Sequence, residues 1–515
     1  MNAPLLISLP HGFNASGVTA WAVRLVNALA PKGRAVGLIV HDEPEGQQPV
    51  DFRLDPRVEL FDAGGLVPMD RCEGDLSPFL PVYRLALGVL AARAPGLPVV
   101  CSPNLLGDAY GVFAALLREK PGLVRVVAVH HSDIRYNDAV CAHYAPMLSA
   151  FVGVSARITT RLGGMVPTRG PDVFGIPYGV EVPAGALRRE PLAGRPVRLL
   201  YAGRMDHEQK RIGAMAVMAD RLQQWGVRFE LAMLGDGPAA GDVDAMCARR
   251  PAARRFGPTP PAGVVAALEA ADLFVLPSRY EGLSVALLEA LARGCVPVLT
   301  PSESGTAQLV TDSVTGVLAS AGPEASEAEA GTSMAEAVLR AVRLGDDRLH
   351  AMRVAGWSRM CDRFSAELCA KRYASVIDRV AQQPARSWPR HALAAFTGAG
   401  GGGSGTVPTD AAARMAGVLA ALAGRRVVVF GTGRHTLELR ETFQHAPAEI
   451  VAFLDDDRTR QAGELWGRPI LLPEEIGLVG ATDIVISSWL HEDAMHTRCA
   501  PFVKAGIRVH RLYAE

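Results

Sequence analysis

Apolar runs of strand length recur along the first third of the chain, spaced by stretches with helical periodicity. Residues 5–9, 35–40, 99–101, 124–129 and 150–154 are such runs, and a glycine-bearing loop at 10–17 leads into residues 21–29, apolar at helical spacing. This alternation predicts a doubly wound α/β domain over residues 1–185. A second series, 199–202, 271–276 and 295–300, predicts another α/β domain over 186–384. Residues 361–380 read as its terminal helix, and periodicity is lost over 382–389. A third set of runs, 426–430, 450–454 and 484–488, predicts a small α/β domain over 408–515. Between them lies a segment assigned as linker, 385–407, whose 398–405 stretch is almost all glycine and cannot pack a core.

Composition narrows the class. At 515 residues the chain is long enough for more than two domains. Its 53 basic and 53 acidic residues argue against a nucleic-acid partner, which calls for a basic surface. The eight cysteines are scattered without a C-x-x-C pair, a pattern of reduced thiols and not of a disulfide framework or zinc site. Residues 1–10 lack the basic start of a signal peptide, and no apolar stretch is long enough to span a bilayer. A cytoplasmic location is the expectation.

The richest chemistry lies between two strand-like runs, 271–276 and 295–300, in the segment Pro277-Ser278-Arg279-Tyr280-Glu281-Gly282-Leu283-Ser284, and in the helix-like stretch that follows it. Strand, loop, helix and strand make a βαβ unit, whose ligands sit at the carboxyl ends of strands. Ser284 is placed to cap the helix, whose free N–H groups and dipole favour an anion such as a diphosphate. Gly282 lets backbone approach a ligand. Glu289, about one turn into the helix, suits a vicinal diol such as ribose, because an ionised carboxylate only accepts hydrogen bonds. Glu281 suits the hydroxyls of a sugar.

These residues carry a resemblance. Tyr201-Ala202-Gly203-Arg204 with Lys210, Leu234-Gly235-Asp236-Gly237-Pro238, Phe256-Gly257-Pro258, the two glutamates eight residues apart, Glu303-Ser304-Gly305 and Gly316-Val317-Leu318 follow in family order. Together they resemble the nucleotide-sugar-binding half of retaining glycosyltransferase family 4, with the GT-B fold of two facing Rossmann-like domains. The resemblance implies an α/β GT-B architecture, with Ile176-Pro177-Tyr178-Gly179-Val180 as the hinge and the 361–380 helix crossing back to the first domain. It implies catalytic roles for His131, Arg204, Lys210 and Glu281, and donor contacts from Gly17, Gly203, Gly235, Gly282, Leu283, Ser284 and Glu289. Arg204 and Lys210 would neutralise the donor diphosphate and the departing nucleoside diphosphate. Arg211, directly after Lys210, stands as a substitute for it.

On the acceptor side, Ser16 stands where the family has one of two glycines, while Gly17 remains. His130 and His131 close the 124–129 run; His131 aligns best with the family histidine that hydrogen-bonds the donor sugar, with His130 as the alternative and Asp133 as a partner for the ring or the acceptor. The resemblance implies a retaining transfer from a UDP- or GDP-sugar to a carbohydrate or lipid-linked hydroxyl, as in bacterial polysaccharide or glycoconjugate synthesis. No cofactor and no metal are expected. A lipid acceptor would bring peripheral membrane contact.

The third domain is similar to small Rossmann-like modules appended to bacterial sugar-modifying enzymes and methyltransferases. Gly431 and Gly433 form a glycine turn after its first strand, and Asp455 ends the second, an outline of a nucleotide site. His435 and Thr436 stand near the place of the missing third glycine, so a docking role in protein contacts is the other reading. The D-x-D of Asp455 and Asp457 reads as a turn. Other functions left open are a sugar-nucleotide epimerase or phosphorylase, a catalytically silent nucleotide-sugar sensor or scaffold, and an NAD-dependent oxidoreductase in the third domain.

Overall fold

The computed structural model describes residues 2–14, 16–44, 49–72, 74–104, 106–185, 189–302, 305–389, 394–396, 410–432, 434–455, 463–488 and 492–513. The chain divides into two compact units, 1–401 and 402–515. Among the described residues, no helix is long and apolar enough to cross a membrane.

The first unit holds two parallel sheets. One comprises β1 (Leu5–Leu9), β2 (Val36–Val40), β3 (Val58–Asp62), β4 (Val99–Ser102), β5 (Val124–His130), β6 (Leu148–Gly153) and β7 (Val173–Gly175), in the order β3-β2-β1-β4-β5-β6-β7. The other comprises β8 (Val197–Ala202), β9 (Phe229–Leu234), β10 (Ala253–Phe256), β11 (Leu273–Leu276), β12 (Val296–Leu299) and β13 (Val317–Leu318), in the order β10-β9-β8-β11-β12-β13. In each, order reverses beside the first strand, which opens the crevice where α/β sheets bind ligands. β1, β4, β5, β11 and β12 are buried throughout, as strands covered by helices on both faces must be.

Five helices position the site: α1 (Gly17–Leu29), α2 (Gly107–Glu119), α3 (Val285–Ala292), α4 (Gly345–Arg363) and α5 (Ala366–Gln382). On α1, Trp21, Leu25, Val26 and Leu29 lie on one buried stripe. The single helix expected over 361–380 is instead two. Ser365 breaks it, accepting the Leu368 N–H at 3.3 Å to cap α5. α5 packs on α1, β4 and β6 and so ties the second lobe to the first.

The chain after α5 also differs from expectation, since the segment assigned as linker from 385 begins as packed structure. Trp388 is buried beside Tyr144, the Tyr144 hydroxyl donates to the Ala394 carbonyl at 2.7 Å, and the Phe396 N–H donates to Asp108 Oδ1 at 3.1 Å. Loss of helical periodicity hid this strap, because it is held by aromatic side chains and not by an amphipathic face. The glycine-rich stretch 398–405 lies outside the described residues.

The second unit is a six-stranded sheet of β14 (Arg426–Phe430), β15 (Glu449–Leu454), β16 (Glu464–Leu465), β17 (Arg468–Leu471), β18 (Asp483–Ile486) and β19 (Arg508–His510), ordered β16-β17-β15-β14-β18-β19. Among the described residues, only the β16–β17 pair is antiparallel. Apolar residues cover both faces of this Rossmann-like sheet.

Candidate active site

The loops leaving the carboxyl ends of the two sheets in the first unit meet in one cleft. After β1, Ser16 caps α1, its Oγ accepting the Thr19 N–H at 3.2 Å. After β11, Ser284 caps α3, its Oγ accepting the Leu287 N–H at 3.3 Å. Gly17 and Val285 are the first residues of these helices, and a Cβ built on Gly17 would lie 3.0 Å from Val285 Cγ2. Two helix N-termini therefore come together at this point. Each presents free N–H groups and the positive end of its dipole, and an anion between them relieves the conflict. Ser16, out of place against a glycine pair, is the residue that starts α1.

Gly282 closes the same junction from another side. A Cβ there would fall 2.9 Å from Ser132 Cα and closer still to the His131 carbonyl oxygen, both on the loop after β5. Leu283 is buried next to Gly305. Gly203 and Gly235, which end β8 and β9, lie back to back with no room for a side chain at Gly235.

The cations expected to face a diphosphate fall into three different settings. Arg204 is 54% exposed, with Nε 4.0 Å from Asp206 Oδ2. It lies close enough to His11 of the first lobe and to Tyr280 of the second to act on both electrostatically. Lys210 is largely buried and paired through Nζ with Glu281 Oε1. Its loop is built by Asp206, whose Oδ1 accepts the N–H groups of Gln209 at 2.7 Å and Lys210 at 3.2 Å. The Arg279 N–H donates to the Gln209 carbonyl and Gln209 Nε2 to the Tyr280 carbonyl, which joins this loop to the Glu281 loop.

Arg211 is no substitute for Lys210. It is fully buried, with φ +47°, and donates to the carbonyls of Pro277, Ser278, Gly322 and Ala325 and to Thr300 Oγ1. Burial pulls its pKa down, and these bonds satisfy its guanidinium within the lobe. Adjacency in sequence suggested interchange, but the left-handed turn at Arg211 sends the two side chains to different places.

Glu289 pairs with Arg24 of α1 across the cleft, through Oε1 and Nη2. His131 is buried. Its Nε2 lies 3.1 Å from Asn104 Oδ1, and its Nδ1 2.7 Å from the Tyr178 hydroxyl. Asn104 Nδ2 donates to the Ser8 carbonyl, which fixes Oδ1 as the acceptor, so His131 carries its proton on Nε2 and accepts from Tyr178 on Nδ1. Burial, with a contribution from His130, lowers its pKa to about 3 and keeps the ring neutral. His130 is also buried, against Cys141 and Asp138. Asp133 does not orient the His131 ring; it pairs with Arg157 and Arg161.

In the second unit, Gly431 follows β14 with φ +111°. The Thr432 N–H donates to Asp455 Oδ2 at 3.3 Å, and its hydroxyl to the same oxygen. His435 is buried, with Nδ1 2.9 Å from Ser487 Oγ and Nε2 2.8 Å from the Tyr513 hydroxyl; burial lowers its pKa to about 4. Gly433, Asp456 and Asp457 lie outside the described residues.

Residues 196–342 match the family model described as glycosyl transferases group 1. The second lobe is therefore similar to a group 1 glycosyltransferase domain. The chain is 29% identical over 333 residues to a GDP-mannose-dependent alpha-mannosyltransferase of Mycolicibacterium smegmatis, covering 59% of this chain and 81% of that one. The fold resembles sucrose-phosphate synthase from Thermosynechococcus elongatus, with TM-score 0.56, 16% identity, and 73% and 99% of the two chains covered. It also resembles HepE of Anabaena in complex with UDP and glucose, with TM-score 0.53, 14% identity, and 73% and 100% covered. The two lobes of the first unit thus form a GT-B architecture. Sequence reading missed Arg24, Asn104 and His11, and named Tyr178 only within the hinge. Of these only Arg24 left a signal, because it lies seven residues after Gly17 and so on the same face of α1.

Proposed function

We propose that the first unit is a retaining glycosyltransferase of family 4 type that moves a sugar from a nucleoside-diphosphate sugar to an acceptor hydroxyl. The observation that carries this reading is the meeting of the α1 and α3 N-termini at Gly17 and Val285, with Lys210 and Arg204 on the loops beside it. A diphosphate is the group that satisfies two positive helix ends and two cations at once.

Before the donor binds, Lys210 and Glu281 neutralise each other. The diphosphate competes for the Lys210 ammonium, and Glu281, released, accepts from hydroxyls of the sugar. Gly203, Gly235, Gly282, Leu283 and Ser284 shape the backbone around the donor, and Glu289 receives the ribose diol. His131 stays neutral and holds the first-lobe wall on which the sugar rests. The acceptor hydroxyl approaches the anomeric carbon on the face that the diphosphate leaves. The carbon–oxygen bond to phosphate breaks, the bond to the acceptor oxygen forms, and the acceptor proton passes to the departing phosphate oxygen. Arg204 stabilises the charge that gathers there.

The 29% identical relative is named for GDP-mannose, so GDP-mannose heads the donor screen, followed by other GDP- and UDP-sugars. The acceptor belongs to a carbohydrate or lipid-linked class, and the work to bacterial glycan synthesis. The test is release of nucleoside diphosphate, with Arg204→Ala and Glu289→Ala as controls and the product anomer read by NMR. Release in the wild type and its loss in both variants is the expected result; an inverted product would remove the retaining mechanism. For the second unit we propose a docking role. Thr436 fills the position where a dinucleotide turn needs a third glycine, its hydroxyl donating to the Gly431 carbonyl, and Thr432 already holds Asp455.

A further inference from the structure

Helices α1 and α3 touch at two places, and the second is unexplained by a diphosphate. Gly17 meets Val285; seven residues on along α1 and four along α3, Arg24 meets Glu289. Two turns of one helix and about one of the other bring each pair onto a shared face. The guanidinium is only partly used. Nη2 serves Glu289 Oε1, while Nη1 is buried without a hydrogen-bond partner among the described residues. A buried donor left unmade is costly, and this one sits on the guanidinium that joins the two lobes through Glu289, where parting of the lobes brings it to a ligand.

We infer that Arg24 is the first lobe's half of a ribose site, reading the diol together with Glu289 of the second lobe. The inference rests on the nucleoside-diphosphate reading of the same cleft. Each ribose hydroxyl both donates and accepts. Glu289, an acceptor only, takes the donated protons; Arg24, a donor only, supplies a hydrogen bond back from Nη1. The ion pair also fixes the carboxylate, so that Oε2 remains for the diol while Oε1 stays bound to Arg24. Because the two residues come from opposite lobes, the site is complete only when the lobes are closed, and ribose recognition reports closure. Arg24 is a positioning and specificity residue here; it does not touch the reacting carbon.

The experiment compares binding of GDP and UDP with their 2′-deoxy counterparts by calorimetry, in the full chain and in Arg24→Ala, Arg24→Lys and Glu289→Gln variants. The wild type should prefer the ribonucleotide by roughly tenfold or more, the scale of a hydrogen bond to a charged group. Arg24→Ala should cut that ratio severalfold, Glu289 still accepting from the diol, while leaving 2′-deoxy affinity within about threefold, since the diphosphate site is intact. Arg24→Lys should restore part of the ratio, and it keeps the inference testable if the alanine variant does not fold. An equal loss of affinity for both nucleotides in Arg24→Ala would make Arg24 a clamp between lobes and overturn the inference. So would a wild type that binds both nucleotides equally, although the donor reading would then stand. A wild type that binds neither nucleotide overturns both.

Discussion

Replacing Gly282 by alanine tests whether the two lobes work as one site. The added methyl would fall 2.9 Å from Ser132 Cα, and nearer to the His131 carbonyl oxygen, on the opposite lobe. Carbon atoms rest about 3.5–4.0 Å apart, so the lobes must separate by roughly 0.6–1 Å at this point. The obstacle is backbone on both sides, which no rotamer change relieves. Within the second lobe, the Gly305 N–H donates to the Gly282 carbonyl, a bond that an alanine keeps. Stability of that lobe should therefore change little, and the effect should appear in the reaction.

A displacement near 1 Å of groups that must align for transfer can cost about 100-fold in rate. The expected outcome for Gly282→Ala is a fall of about that size in kcat, with the Kd for free nucleoside diphosphate weakened by no more than about tenfold, the share of the ribose site that spans the lobes. Stopped-assay turnover of the best donor gives the first number and calorimetry the second. A companion variant, Gly282→Ser, should be at least as impaired, because its side chain is larger. Turnover at the wild-type rate in Gly282→Ala would refute the claim that closure at this junction is required. A fall in melting temperature matching the loss of activity would refute the claim that the clash is confined to the lobe interface.

The two arginines near Lys210 should separate cleanly. Arg204→Ala, at a half-exposed position, should lower kcat by about 100-fold or more while leaving the urea midpoint almost unmoved. Arg211→Met should instead lower stability by about 3–5 kcal/mol, because it strands buried carbonyls; a soluble variant with a wild-type midpoint would contradict this. His41 and His131 make the first lobe acid-sensitive, since burial lowers their folded pKa values to about 4 and about 3. As pH falls below the unfolded value near 6.5, the unfolded chain takes up protons that the folded chain refuses, so stability is full above that pH and declines below it. At pH 5 each histidine should cost about 2 kcal/mol, read as a drop in the urea midpoint between pH 7 and 5; a flat midpoint would refute it. Turnover should survive EDTA, and restoration of a lost rate by added Mg²⁺ or Mn²⁺ would contradict the metal-free reading.

The fold class was legible because parallel strands covered on both faces are written as short unbroken apolar runs, and residues 273–276 and 126–129 are such runs. β3 (Val58–Asp62) was missed for the converse reason: it is an edge strand whose residues are mostly not fully buried, so no apolar run marks it. The break between α4 and α5 was hidden because apolar spacing continues across Ser365, and only its cap geometry reveals the interruption. Arg211 was misread since sequence shows adjacency and not the sign of a backbone torsion. The strap ending at Phe396 was invisible because its partners, Asp108 and Tyr144, are more than 200 residues away in sequence.

Within the candidate site, local signals located the loops but not what they face. Ser284 and Gly282 announce a capped helix after a strand, yet nothing in that segment says that a second capped helix, started by Ser16, lies opposite. That opposition gives the cleft its chemical character. Either helix alone is a modest anion site, worth a fraction of a kcal/mol to about 2 kcal/mol at its terminus. Brought together without a ligand, the same two termini repel, so lobe closure and anion binding each favour the other. The Arg24–Glu289 pair offsets part of that repulsion, with opposite charges placed farther along the same two helices. An anion held between the helix ends and a neutral diol held at the ion pair are thus complementary demands. A nucleoside diphosphate meets both, because it carries the two groups at either end of one ribose.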